Sequence, residues 1–453
     1  IHSIPGEPVM TSYYTFLHLW MALGTSEVML RVPSLVFSAA TVPMIYFLGR
    51  RLISSRVGIV AAVLFAFHAS AIRYAQEARS YSLTGLLIVI SCLYFLRAIE
   101  RDRAGDWLGY LVVSVFAVYA HFFTIFVLTA QWLFLLVVRP RTLLSKRVIL
   151  IAISVAVLSA PVAMLISLAS HLRHHWRYIP ANSLSNTSHV VFILSGWSAG
   201  VTGLAAQALT AAYFAAIVAA LIACGKAWRR SREQAEGYLF LAICTFLPVG
   251  LVFAGSLIQP IVVIRYFILF LPLLVILVAA GVCQIRPVRI LTMVTVIVLM
   301  FEGWGTIAYY RHFHKANVRA AVQFVVSNMQ SGDALTPDYR IHRQFEYYYG
   351  RANKQAGVDL QSLANLRLLP MDAAALEARQ RSYERDCCRD PRHWVIELRL
   401  ENPDALKIAP DWTMLRQALD RGYREVQRRK FGRAIVVLLF TSPHSAQEPS
   451  PAN

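Results

Sequence analysis

The chain has 453 residues, 57% hydrophobic and only 15% charged, with a mean hydropathy of +0.51. Soluble domains carry about a quarter charged residues, so the composition excludes one large soluble core and indicates a polytopic membrane protein. The net charge of +19 does not imply nucleic acid: much of it lies in short loops between apolar segments, as the positive-inside rule expects, and no aromatic-plus-basic DNA or RNA module is present.

Glu7 is the only carboxylate before Glu27. Residues 11–23 (TSYYTFLHLWMAL) predict an aromatic helix lying at the membrane interface. Ten apolar runs follow, at 31–48, 57–72, 80–98, 108–119, 122–138, 148–169, 205–223, 238–257, 266–283 and 288–307. A full crossing takes about 20 residues, so the runs 57–72 and 108–119 are expected to be thin, tilted or re-entrant. Residues 187–200 read as a second interfacial segment. Cys92, Cys224, Cys244 and Cys283 fall in apolar runs as small core residues, and the adjacent Cys387 and Cys388 lack metal-type spacing.

Loop charges set the orientation. One set of loops holds Arg50, Arg51 and Arg56; Arg97, Arg101 and Arg103; Arg139, Arg141, Lys146 and Arg147; Lys226, Arg229, Arg230 and Arg232; Arg286 and Arg289. The opposite set holds the fewer Arg31, Arg73, Arg79, Arg173, Arg177 and Arg265. The richer set is predicted to be cytoplasmic. Gln76–Tyr81, His121, the 170–187 loop and Gln259–Tyr266 then all face outward.

After Tyr310 the composition turns charged and Arg-rich. Asn317–Gln330 predicts an amphipathic helix, with Val318, Ala321, Val322, Val325 and Val326 on one side. Strands are predicted at Ala334–Thr336, His393–Leu398 and Arg433–Phe440, and short helices, each opened by a capping Asp, at Asp372–Gln380 and Asp411–Arg421. The expected organisation is a membrane domain over residues 1–310, a small α/β extracytoplasmic (periplasmic) domain over 311–441, and a Ser/Pro-rich disordered tail over 442–453.

No P-loop, Rossmann fingerprint or metal cluster of ordinary spacing appears, so nucleotide-dependent chemistry on the cytoplasmic side lacks a site. The outward loops are richer. Gln76-Glu77-Ala78-Arg79-Ser80-Tyr81 places ionisable groups between two membrane-length segments, where they are costly and usually retained for a purpose. Arg73, Arg79 and Glu77 suit a lipid phosphate head group, because Arg offers planar bidentate donors; snorkelling to bulk lipid phosphates fits the arginines too. Arg265-Tyr266 could supply a second phosphate contact or an interface anchor. His121, at the end of a short span, could bind a hydroxyl or a metal, accept a proton, or serve only as an interfacial polar residue. His171, Arg173, His174, His175, Trp176 and Arg177 form a basic-aromatic loop suited to covering an acceptor. Glu27 precedes Arg31 by four residues and can pair with it across a helical turn. No metal site is assigned, and a divalent ion stays open.

"SEVMLRVPSLVFSAATVPMIYFLGRRL" (Ser26–Leu52) and "SSRVGIVAAVLFAFHASAIRYAQEARSYSL" (Ser54–Leu83) resemble the GT-C class of membrane glycosyltransferases, within it the bacterial proteins similar to protein O-mannosyltransferases and rhizobial lipopolysaccharide glycosyltransferases. Tyr119-Ala120-His121-Phe122, Arg265-Tyr266 with Pro272, and "KANVRAAVQFVVSNMQSGDAL" (Lys315–Leu335) fit the same pattern. The resemblance implies a multi-pass inner (plasma) membrane enzyme. It would move a sugar from a polyprenyl-phosphate carrier to a glycan, lipid or protein hydroxyl on the outer face, with an acidic base in the first outward loop. That loop and the helix before it would precede Ile1, so the sequence reads as lacking its N-terminal part. Glu7 does not match the base's position and is only a weak candidate, and the family's His-Pro-Pro-like element appears as Glu7-Pro8-Val9-Met10-Thr11. Donor-phosphate contacts are expected from Arg73, Arg79, Arg265 and Tyr266, a catalytic contribution from Glu77, and substrate contacts from Gln76, Tyr81 and His121. An O-antigen polymerase or ligase is the nearest alternative, but would place its arginines in one large outward loop between spans. A transporter would show half-repeats and mid-bilayer charges, whereas the charges here read as clustered at span ends. A non-catalytic lipid-binding scaffold is the last alternative.

Overall fold

A computed structural model describes residues 10–172, 204–258, 261–312, 317–330, 333–338, 341–356, 364–366, 392–398, 423–432 and 435–442. The chain divides into two compact units, Ile1–Phe313 and His314–Asn453. Glu7, Gln259, the basic-aromatic segment from Arg173, residues 187–200, Cys387 and Cys388, and the expected helices at Asp372–Gln380 and Asp411–Arg421 lie outside the described residues.

The first unit is helical. α1 (Thr11–Trp20) runs into a 3-10 turn (Met21–Leu23), where residues 11–23 predict a helix. α2 (Glu27–Leu52) starts at Ser26, whose hydroxyl accepts from the Met29 N–H. α3 (Ser55–Phe67) starts at Ser54 in the same way, through the Val57 N–H. Such caps satisfy amides that a helix start leaves without partners. At His68 the backbone turns extended and the chain re-enters a helix as α4 (Ala69–Ala75), with a 59° bend between the two pieces. The short 57–72 run therefore corresponds to a broken helix. Next come α5 (Tyr81–Arg101), α6 (Ala104–Ala120), α7 (Thr124–Val138), the single turn α8 (Pro140–Leu143) and α9 (Lys146–Leu172). α10 (Leu204–Arg230), α11 (Arg232–Ile258), a 3-10 segment (Ile264–Phe270), α12 (Leu271–Val282) and α13 (Val288–His312) complete the unit.

Seven of the described helices are long and apolar enough to cross a membrane, an eighth counts if the α3–α4 pair is one span, and α6 and α7 are shorter apolar helices. All ten expected apolar runs fall on these elements. In a bilayer, helices associate through close backbone approach and interhelical hydrogen bonds, and both occur here. Gly281 of α12 faces the Ala216 backbone of α10, and Gly58 of α3 faces the Tyr46 carbonyl of α2. Ser91 of α5 bonds Ser114 of α6 at 3.1 Å, while Tyr110 donates to Gln131 of α7 at 2.9 Å.

One end of the bundle is stitched by ion pairs among helix ends and the turns beside them: Arg51–Glu100 at 2.6 Å, Arg97–Asp106 at 3.2 Å, Arg139–Glu236 at 3.0 Å and Arg147–Asp102 at 2.9 Å. These arginines belong to the set predicted to be cytoplasmic. Glu27 and Arg31, 3.6 Å apart, form the expected pair at the start of α2. The expectation that charges stay at span ends needs correction, because Glu302 sits within α13 and is fully buried.

The second unit holds a five-stranded sheet ordered β2-β1-β3-β5-β4, with β1 (Asp333–Pro337), β2 (Ala364–Leu366), β3 (Arg392–Leu398), β4 (Arg424–Phe431) and β5 (Ile435–Thr441). β1 pairs parallel with β2 and β3, and β5 pairs antiparallel with β3 and β4. α14 (Val318–Asn328), capped by Asn317, and α15 (His342–Ala356) share a core with β1, β3 and β5. α14, β1, β3 and β5 follow the sequence-based expectations; α15, β2 and β4 do not appear among them. β4 (REVQRRKF) carries no alternating apolar pattern because it is an exposed edge strand, and charged residues are common on such edges.

Candidate functional site

At the end of the bundle away from these ion pairs, residues distant in sequence converge. The α4–α5 connection is a series of tight turns, with Gln76 N–H donating to the Arg73 carbonyl, Glu77 N–H to Tyr74 and Arg79 N–H to Glu77. Ser34 of α2 fixes this connection. Its hydroxyl donates to the Arg79 carbonyl at 3.3 Å and lies 2.9 Å from the Tyr13 hydroxyl of α1. Tyr13 and Ser34 are both fully buried, so α1 and α2 together hold the segment bearing Glu77 and Arg79.

Tyr81 opens α5 directly after that segment and stands among aromatic rings. Its ring centre lies 5.3 Å from Tyr74, 6.1 Å from His121 and 6.4 Å from Tyr266. His121 stands 4.7 Å from Tyr266, and Phe123 closes the group at 5.1 Å from Tyr266. The Arg265 guanidinium sits 5.7 Å from the Tyr266 ring centre, within the range in which a ring face attracts a cation. The charges of Arg265, Arg79 and Glu77 all act on the Tyr81 hydroxyl. Of the sequence-predicted residues, Glu77, Arg79, Tyr81, His121, Arg265 and Tyr266 therefore share one place.

Arg73 and Gln76 turn toward α13 instead. The Arg73 guanidinium lies 5.5 Å from the Tyr74 ring centre and 6.0 Å from that of Tyr309, and the Gln76 amide donates to the Tyr310 hydroxyl at 2.6 Å.

Two polar atoms in the cluster are buried with no hydrogen-bond partner among the described residues: Tyr81 Oη and His121 Nε2. Buried polar groups are rarely left this way. His121 Nδ1 accepts from the Phe123 N–H at 3.3 Å, which assigns the ring proton to Nε2. Burial, with the positive charge of Arg265 adding to it, pushes the imidazole down to about 3. His121 thus presents a neutral N–H donor rather than a cation or a base. Tyr74 and Tyr81 also line a small cleft, with Thr41, Phe65, Ile268 and Pro272 among its other walls. Its walls are mainly apolar, and Tyr81 joins it to the ring cluster.

Among the described residues, no group of three or more His, Cys, Asp or Glu side chains could hold a metal ion. Sequence reasoning missed Tyr74, Phe123, Ser34 and Tyr13, whose contributions are contacts rather than motifs. It also missed the buried trio His68, Tyr213 and Glu302. A lone acid in an otherwise apolar run was the available signal for Glu302.

Residues 7–165 match the profile of the family described as dolichyl-phosphate-mannose-protein mannosyltransferase. No curated protein matches the chain by sequence. Among solved structures, ArnT from Cupriavidus metallidurans bound to undecaprenyl phosphate is similar with a TM-score of 0.55 at 11% identity, over 97% of this chain and 88% of that one. The apo form of ArnT gives 0.56 at 11% identity, over 94% and 87%. The archaeal oligosaccharyltransferase AglB from Archaeoglobus fulgidus, in complex with an inhibitory peptide and a dolichol-phosphate, gives 0.54 at 10% identity, over 98% and 67%. The N-terminal third of the chain thus carries that family's profile, and the chain shares the fold of ArnT and AglB.

Proposed function

We propose that the protein transfers a sugar from a polyprenyl-phosphate carrier to an acceptor hydroxyl at the outer face of the cytoplasmic membrane, with the second unit extracytoplasmic. The observation that carries this reading is the pair of buried atoms without a partner among the described residues, Tyr81 Oη and His121 Nε2, beside Arg79 and Arg265. A carrier phosphate supplies the oxygen acceptors those atoms lack. Undecaprenyl phosphate and dolichol-phosphate in the ArnT and AglB structures support this donor class.

The chemistry asks for charge stabilisation more than for covalent participation. As the sugar's anomeric carbon leaves the carrier, negative charge grows on the phosphate, where preorganised donors and cations lower the barrier. Arg79 and Arg265 supply that charge, with Arg73 contributing at longer range, and neutral His121 donates without a change of protonation. A carboxylate takes the acceptor proton, and Glu77 is the described carboxylate beside the cluster.

The test is sugar transfer in proteoliposomes containing the purified protein and a panel of undecaprenyl-phosphate-linked sugars, with products identified by mass spectrometry. Transfer from at least one donor, inhibited by free undecaprenyl phosphate, is expected. Failure with every donor, together with no binding of undecaprenyl phosphate, would overturn the assignment.

A further inference from the structure

Glu302 is a fully buried carboxylate in a membrane helix, far from the cations of the cluster in its contacts and unused by the transfer chemistry. Its Oε2 accepts from the Ala69 N–H at 3.1 Å, and its Oε1 accepts from the Tyr213 hydroxyl of α10 at 2.8 Å. His68 Nε2 stands 4.0 Å from the same Oε1, while His68 Nδ1 accepts from the Ser70 N–H at 3.2 Å. These contacts surround the 59° break between α3 and α4.

The α2 and α3 starts are capped by their own serines. The α4 start has its own cap too, His68 on the Ser70 N–H, but its first amide is held by an acid brought by a helix remote in sequence, at the cost of burying a carboxylate in an apolar bundle. What the remote acid adds is a tie between elements. Two helical turns further along α13, Tyr309 and Tyr310 meet the other end of α4 through Arg73 and Gln76. One helix thus grips α4 at both ends, and α4 leads directly into the turns that bear Glu77 and Arg79.

We propose that Glu302 is a positioning residue: it fixes the bend between α3 and α4 and thereby sets where Glu77 and Arg79 meet the donor. This rests on the reading of that cluster as the donor site.

The test has two arms. In full-length protein with native cysteines replaced, spin labels at Ala78→Cys and Leu257→Cys report the position of the α4–α5 turn relative to α11. A single narrow distance is expected for the parent. Glu302→Leu is expected to broaden it. Glu302→Gln is expected to keep it, because the amide carbonyl still accepts from Ala69 and the amide NH₂ can donate to Tyr213. Should Glu302→Leu not insert, Tyr310→Phe, which removes only the hydrogen bond to Gln76, is expected to give part of the broadening. In the second arm, Glu302→Leu is expected to lower kcat/KM by about ten- to a hundredfold through misplacement, with Glu302→Gln near the parent. Unchanged distances, or lower thermal stability with unchanged kcat and KM per folded molecule, would overturn the proposal. A parent that transfers no sugar would sink the donor-site reading alone, because the distance arm needs no substrate.

Discussion

The ring of His121 stands 4.7 Å from that of Tyr266, joining the end of α6 to the start of the last-but-one span. This pairing brings Arg265 to the same pocket as the Gln76–Tyr81 segment, and it fixes the geometry on which the following expectations depend.

Glu77→Ala and Arg79→Ala are each expected to reduce sugar transfer by about a hundredfold, the scale seen when one preorganised charge-stabilising group is removed. Both variants should insert normally, since neither side chain belongs to the helix core. Transfer assays normalised to folded protein provide the check, and unchanged rates in both variants would reject the assigned roles.

Loss of the Ser34 hydroxyl should act through the turn it holds. Ser34→Ala removes two hydrogen bonds, to Tyr13 and to the Arg79 carbonyl, and should cost about 1–3 kcal/mol of stability, while raising KM for the donor because Arg79 is less well placed. Tyr13→Phe should reproduce the effect in weaker form. Equal KM values in parent and Ser34→Ala would show that the contact is only structural.

The imidazole of His121 is held well below its ordinary value of 6.5, at about 3. In the window between those values the unfolded chain binds the proton that the folded one refuses, so stability rises with pH. The contribution is complete above pH 6.5 and is lost as the pH falls toward 3. His121→Gln should flatten that part of the pH–stability profile in thermal unfolding of the purified protein. Above pH 6.5, no pH dependence of transfer should trace to His121.

Gly281→Ala should be one of the more damaging single-methyl additions. The new Cβ would collide with the carbonyl of Ala216 across the α10–α12 interface, and backbone cannot yield as a side chain can. Overpacking of this kind costs about 1–3 kcal/mol. Gly303→Ala, where the added atom meets open space, serves as the control, and similar melting temperatures for the two would contradict the packing.

Orientation can be read by labelling. Single cysteines at Arg56 and Arg286 should react only with reagents that reach the cytoplasm, whereas one at Ala78 should react with a membrane-impermeant reagent applied outside. Label reaching Ala78 and Arg56 from the same side would break the topology on which the outward donor site stands.

Much of this was legible in the chain itself. Ten apolar runs stand out because a bilayer forbids polar backbone and most charges in its core, so each crossing leaves a long one-dimensional trace. The side bearing the extra arginines follows from counting loop charges. Gln76–Tyr81 and Tyr119–Phe122 stand out because polar groups are scarce in such a sequence. The strand β4 left no trace, because an edge strand faces water on too many sides to need an apolar pattern.

Tertiary structure alone decided which scarce polar groups meet. Nothing in the sequence pairs Ser34 with the Arg79 carbonyl, aims His121 Nε2 and Tyr81 Oη without partners beside Arg265, or carries Glu302 to the first amide of α4. Periodicity reports which face of a helix is apolar, whereas the rotation and height of one helix against another are set by side-chain packing among all of them. Membrane insertion is therefore written locally in the chain, while the proposed donor site forms only once distant helices have chosen their neighbours.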